Sequence, residues 1–134
     1  MEKSIFTRLI EKELPSFCIY EDERVFAFLD IHPITPGHTL IVPKKQVEFV
    51  WDLDDQDYVA VMNVTKKLAI HLRSQLGVRF IGEQIIGVDV PHAHVHLVPF
   101  NTVDEYRHIP DATTEPDFET LTKMHEKLRV RDAL

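Results

Sequence analysis

Between Val90 and Pro99 the chain reads Val-Pro-His-Ala-His-Val-His-Leu-Val-Pro, with histidines at 92, 94 and 96 separated by small or apolar residues. Successive side chains of a β-strand point to opposite faces, so this spacing predicts a ridge of His92, His94 and His96 on one face and Ala93, Val95 and Leu97 on the other. Flanking prolines, which cannot donate to a ladder, bound the strand. Three readings are open for the ridge. It is the polar face of a half-exposed strand, a metal centre built on His-x-His with a third ligand, or a catalytic row in which one imidazole is a nucleophile and its neighbours hold an anionic substrate.

The elements that must position these histidines follow from pattern. Ser4 is placed to cap a short helix carrying Ile5, Phe6, Leu9 and Ile10, which Pro15 prevents from continuing; its role is read as packing. Phe17–Tyr20 and Val25–Leu29 are β-rich runs separated by the charged turn Glu21–Arg24 and predict a hairpin. Asp30–His38, with two prolines and a glycine, predicts a restricted loop that presents side chains at a site. Thr39–Val42 predicts a central strand. An aspartate near Asp54 should cap a long helix reaching Leu76, with Gly77 ending it. Its apolar stripe runs through Val61, Thr65, Leu68 and Leu72, and His71 beside that stripe is read as surface. Arg79–Ile86 predicts a strand interrupted at Gly82, Asn101–Thr114 a loop, and Thr114-Glu115-Pro116 the start of a last helix with Phe118, Leu121, Met124 and Leu128 along one edge. That helix packs on the body of the chain or on a partner. Helix, strands, helix, strands and helical tail together define an α+β class with a mainly antiparallel sheet.

Composition narrows the function. The chain has 134 residues, enough for one domain with a real core, and a formal net charge of −7, which argues against sequence-independent binding to nucleic acid or to an anionic membrane surface. Phosphate, if bound, must be held locally. No stretch is apolar enough to span a bilayer, and the first residues lack the apolar core of a signal peptide. With Cys18 as the one cysteine, no internal disulfide is available, and a cytoplasmic enzyme is the expectation.

Three stretches, Phe28-Leu29-Asp30-Ile31, Pro36-Gly37-His38-Thr39-Leu40-Ile41-Val42-Pro43-Lys44-Lys45 and the histidine run to Val98, together resemble the histidine triad (HIT) family. The likeness covers about residues 4–100 and leaves 101–134 as a C-terminal extension; it divides the chain into a HIT domain over 1–100 and that tail. It implies a five-stranded, mainly antiparallel sheet with one long and one short helix, a homodimer, and hydrolase or transferase chemistry at the α-phosphate of a purine nucleotide. The nucleophile implied is His94, which forms a nucleotidyl-histidine intermediate. His96 and His38 are implied to contact the α-phosphate region and supply donors and a proton for the leaving group, and His92 to support the nucleophile. Asp30 is implied to accept from ribose hydroxyls, and Phe28 and Ile31 to wall the base. Gly87-Val88-Asp89 departs from the family's Gly-Gln-Ser or Gly-Gln-Thr, and Asp89 close to a polyphosphate would repel it. The family's upstream Asn is not evident, Gly82-Glu83-Gln84 being the nearest polar cluster. Zinc-bearing relatives carry a Cys-x-x-Cys and a later histidine where this chain has Ser4, Thr7 and Gln46, so no metal or other cofactor is implied. The alternatives are a nucleotide-binding or scaffold protein with weak catalysis, and a His-ligated metallohydrolase.

Overall fold

Every residue of Val25–Leu29 is buried although its side chains alternate between two faces, so the strand they form is covered on both sides. A computed structural model describes residues 2–134 and shows what provides the cover. The strands are β1 (Cys18–Glu21), β2 (Val25–Leu29), β3 (Thr39–Pro43), β4 (Phe80–Gln84) and β5 (Val95–Phe100), in a five-stranded sheet ordered β1-β2-β3-β5-β4. All the pairings are antiparallel. Val25, Ala27, Leu29, Ile41, Val95 and Leu97 point to one face and form the main core, while Phe26, Phe28, Leu40 and Val42 point to the other.

The main face is covered by helix α2 (Asp55–Leu76). Asp54 caps it by accepting from the Asp57 N–H at 2.8 Å, and Gly77 closes it with φ 67°, a left-handed conformation that a side chain disfavours. Val61, Val64, Thr65, Leu68 and Leu72 are its buried stripe. Leu68 is fully buried, so truncation to alanine would cost about 2–5 kcal/mol. The opposite face is covered by the short helix α1 (Ile5–Ile10), which inserts Phe6 against Phe28 with ring centroids 5.4 Å apart.

The tail docks on this chain's own core. Helix α4 (Phe118–Leu128) buries Leu121 and Leu128 in the main cluster. His71, read as surface from sequence, is half-buried and donates from Nε2 to the Leu128 carbonyl at 2.6 Å, and His125 does the same to Cys18 at 2.8 Å.

Four expectations are corrected. The last helix starts after Asp117, whose carboxylate accepts from the Thr120 N–H, so Pro116 precedes the cap instead of opening the helix. The stretch after Phe100 holds a short helix α3 (Val103–Tyr106), closed by reciprocal bonds between Thr102 and Glu105. β4 runs through Gly82 unbroken because the Tyr106 ring lies over it; a Cβ there would come within 3.0 Å of Tyr106 Cδ2. The histidine strand begins only at Val95, and residues 90–94 are irregular, since their backbone N–H groups turn to Val90 and Val47 instead of a ladder, while the His92 ring bonds to the Pro43 carbonyl at the end of β3 and the His94 ring to the His92 carbonyl.

Candidate active site

Antiparallel register places Phe28, Leu40 and His96 in one row across β2, β3 and β5, so the sheet itself aims the His96 imidazole toward the face that α1 covers. Just before β5, His94 is 3% exposed and its Nδ1 lies 2.7 Å from the His92 carbonyl. A carbonyl only accepts, so Nδ1 carries a proton, and in the neutral ring Nε2 keeps the lone pair. Phe6 meets the His94 ring edge-on at 5.1 Å and the His92 ring at 5.7 Å. The two histidines are therefore wedged by α1 as well as by their own backbone.

His38 reaches the same place from the loop after β2. Its Nδ1 accepts from the Ile34 N–H at 3.0 Å, which leaves the proton on Nε2. Nε2–H then donates to His96 Nδ1 at 3.0 Å, and the remaining His96 proton must reside on Nε2. Gly37 permits this loop path: its φ is +94°, and a Cβ would meet Leu76 Cδ1 at 2.8 Å. Burial lowers both rings, His38 from 6.5 to about 4 and His96 likewise to about 4 with repulsion from His38 and His94 added. At neutral pH His38 and His96 are thus uncharged, and His96 presents an N–H donor beside the His94 ring. The ring centroids of these two residues are 5.0 Å apart.

Asp30 is half-buried at the end of β2, its Oδ1 accepting from the His32 N–H at 2.9 Å and its Oδ2 3.7 Å from His38 Nε2. Burial raises its pKa. A cavity of about 270 Å³ opens beside it, walled by Phe6, Leu9, Phe28, Ile31 and Leu40. A larger cavity of about 360 Å³ lies across the Asp30–Gly37 loop against α4, but the first is the one whose walls touch His94 through Phe6 and continue the His96 row.

Asp30, His38 and His96 offer atoms within 4.8 Å of one another, a spacing that could hold a metal ion. The proton pattern opposes it. His38 could ligate through Nε2 only by moving its proton to Nδ1, where it would face the Ile34 N–H.

The sequence-derived residues gather as follows. His38, His92, His94 and His96 are in one connected cluster, and Phe28, Asp30 and Ile31 line its adjoining cavity. Asp89 is exposed, and its charge reaches His96 as a minor influence. The sequence reading missed Phe6, Pro43 and the role of Ser4, Thr7 and Gln46. The last three converge on His92, which is fully buried: Ser4 Oγ is 2.7 Å and Thr7 Oγ1 3.3 Å from its Nδ1, and Gln46 accepts from the Thr7 hydroxyl at 2.7 Å. Two hydroxyls and a carboxamide supply neither a thiolate nor any negative charge, so these donors do not fit a structural zinc. The signal that was available is the recurrence of hydroxyl side chains one helical turn apart, at Ser4 and Thr7, on a helix otherwise read as apolar.

The site is thus an antiparallel five-stranded sheet bearing a histidine cluster beside an apolar cavity lined in part by the Asp30 carboxylate. The HIT domain family model matches residues 11–103, and the chain belongs to the HIT family. It is 40% identical over 106 residues to an uncharacterised HIT-like protein of Borreliella burgdorferi, covering 74% of this chain and 76% of that one. It is 33% identical over 125 residues to an adenosine 5′-monophosphoramidase of Saccharomyces cerevisiae, covering 92% and 79% of the two chains. Its fold is similar to the crystal structure of a HIT-like protein from Bartonella henselae described as involved in cell-cycle regulation, with TM-score 0.80, 30% identity and 95% of each chain covered.

Proposed function

We propose that this HIT-family enzyme hydrolyses a purine nucleotide substituted at its α-phosphate, through a covalent nucleotidyl intermediate on His94. The observation that carries the reading is the 2.7 Å bond from His94 Nδ1 to the His92 carbonyl, which in the neutral ring leaves Nε2 as the free base, on a ring that meets Phe6 of the cavity wall. The similarity to yeast adenosine 5′-monophosphoramidase favours a nucleoside phosphoramidate over a dinucleoside polyphosphate, and exposed Asp89 near His96 disfavours the more anionic substrate.

In the first step His94 Nε2 forms a bond to phosphorus as the bond from phosphorus to the leaving nitrogen breaks with its electron pair. The leaving nitrogen takes one proton, drawn from the solvent that reaches half-buried His96. His94 becomes cationic, and its Nδ1–H bond to the His92 carbonyl becomes charge-assisted and stronger. His96 Nε2–H holds a phosphoryl oxygen as charge shifts onto it, and His38 Nε2–H holds the His96 ring in place through its Nδ1. Water then forms a bond to phosphorus, the bond to Nε2 breaks, and the water's proton leaves to solvent with the nucleoside monophosphate. Asp30 accepts from the ribose hydroxyls, and Phe28 and Ile31 enclose the base.

The reading includes a homodimer in the cytoplasm. β4 is an edge strand, and Phe80 at its start and Ile85 and Ile86 just after it are exposed, which supports pairing of two copies there. Light scattering in solution tests it. No helix among the described residues is long and apolar enough to cross a membrane.

The activity test is turnover of adenosine and guanosine phosphoramidates, with brief mixing and intact-mass detection of the nucleotidyl enzyme. Wild type should form the adduct and His94→Ala should not; equal turnover by the two removes the nucleophile assignment. Tight nucleotide binding without turnover across the panel would favour a binding protein instead.

A further inference from the structure

We infer that Ser4, Thr7 and Gln46 are positioning residues for the nucleophile, acting through His92 to fix the tautomer and aim of His94. The inference rests on the assignment of His94 above, but its geometry is independent of any substrate.

The proton of each group in the chain is determined by its neighbours. His92 Nε2 is 2.7 Å from the Pro43 carbonyl, so it must donate, and His92 Nδ1 must accept. The acceptor is met by Ser4 Oγ at 2.7 Å. Ser4 Oγ has one proton, given to His92, and it accepts from the Thr7 N–H at 3.0 Å as the cap of α1. The Thr7 hydroxyl donates to Gln46 Oε1 at 2.7 Å, and the Ser4 N–H donates to the same oxygen at 2.8 Å. The Gln46 amide is oriented by its Nε2–H bond to the Glu2 carbonyl at 2.9 Å, so its oxygen faces the pair.

This network clamps a piece of backbone that lacks a strand's ladder. Residues 90–94 are irregular, and besides the His92 ring they are held by the Ala93 N–H bond to the Val47 carbonyl. The His92 carbonyl is the acceptor for His94 Nδ1, so whatever fixes the His92 ring fixes the atom that selects the His94 tautomer. The same helix start carries Phe6 against both rings. A hydrogen-bonded path thus runs from Gln46 through Thr7, Ser4 and His92 to the attacking nitrogen's ring.

The experiment compares Ser4→Ala and Gln46→Leu with wild type, and uses Ser4→Thr, which keeps the hydroxyl, as rescue. Nitrogen-15 spectra of the histidines in the free protein read the tautomers directly. Wild type should show protonated Nε2 on His92 and protonated Nδ1 on His94. The two variants should show mixed tautomers at His92 and a shifted His94, and Ser4→Thr should return to the wild-type pattern. In single-turnover assays with an adenosine phosphoramidate, nucleotidylation should slow by about tenfold or more with KM little changed, the usual effect of removing a partner that orients a functional histidine. Thermal melting separates lost fold from lost aim, and Gln46→Leu keeps the test available if Ser4→Ala unfolds α1. Wild-type nitrogen shifts in both folded variants overturn the inference, as does a wild-type rate of nucleotidylation in both. If wild type turns over no nucleotide, the activity reading fails, and the nitrogen spectra alone decide the network.

Discussion

Lowering the pH should destabilise this protein through His38 in a window that the structure defines. His38 is 3% exposed, and burial lowers its pKa from 6.5 to about 4. At about 1.4 kcal/mol per pH unit, the folded chain disfavours the charged ring by on the order of 3 kcal/mol relative to the unfolded chain. Between pH 6.5 and about 4 the unfolded state binds the proton and the folded state does not, so stability rises with pH there. The His38 contribution is full above pH 6.5 and is lost as the pH falls toward 4. The physical cause is burial of the His38 ring, which withholds hydration from its charged form, and protonation also removes the acceptor that faces the Ile34 N–H. His92 and His96, also lowered by burial, act in the same direction, so the His38 share must be isolated by difference. Urea unfolding followed by circular dichroism across this window should show wild type losing more stability than His38→Asn, the gap approaching about 3 kcal/mol at its acid end. Parallel curves for the two proteins would refute the reasoning.

Three further outcomes are expected. His94→Ala should reduce phosphoramidate turnover on the order of 10³-fold or more while leaving nucleotide binding measurable by calorimetry; a smaller loss points to another nucleophile. Gly82→Ala should lower stability by about 1–3 kcal/mol in denaturant melts, because its Cβ would overlap the Tyr106 ring; Tyr106→Ala in the same chain should recover part of that loss. Dialysis against a chelator should leave turnover unchanged, since the His38 proton pattern does not suit metal ligation; chelator-sensitive activity restored by zinc would overturn the metal-free reading.

Local chemistry made several elements legible. Ser4, Asp54 and Gly77 are used where capping rules place them, and β2 occupies the residues its pattern assigns. The α3 helix was legible too, in Thr102 followed three residues later by Glu105, but a polar stretch without apolar period concealed it. Tyr106 explains Gly82 only across space, so a strand broken by glycine was the natural reading of the string.

The sequence by itself determined the residue types of the site and their spacing, and that apolar strands and a long capped helix must build an α+β body. Those are consequences of bond geometry and period, which act over a few residues. Tertiary structure alone decided the protons. Ile34 fixes His38 from within its own loop, while His38 fixes His96, and Pro43 and Ser4 fix His92, through contacts between segments remote in the chain. A hydrogen bond between distant segments has no periodic signature in sequence, because its partners are brought within reach only when both faces of the sheet are packed.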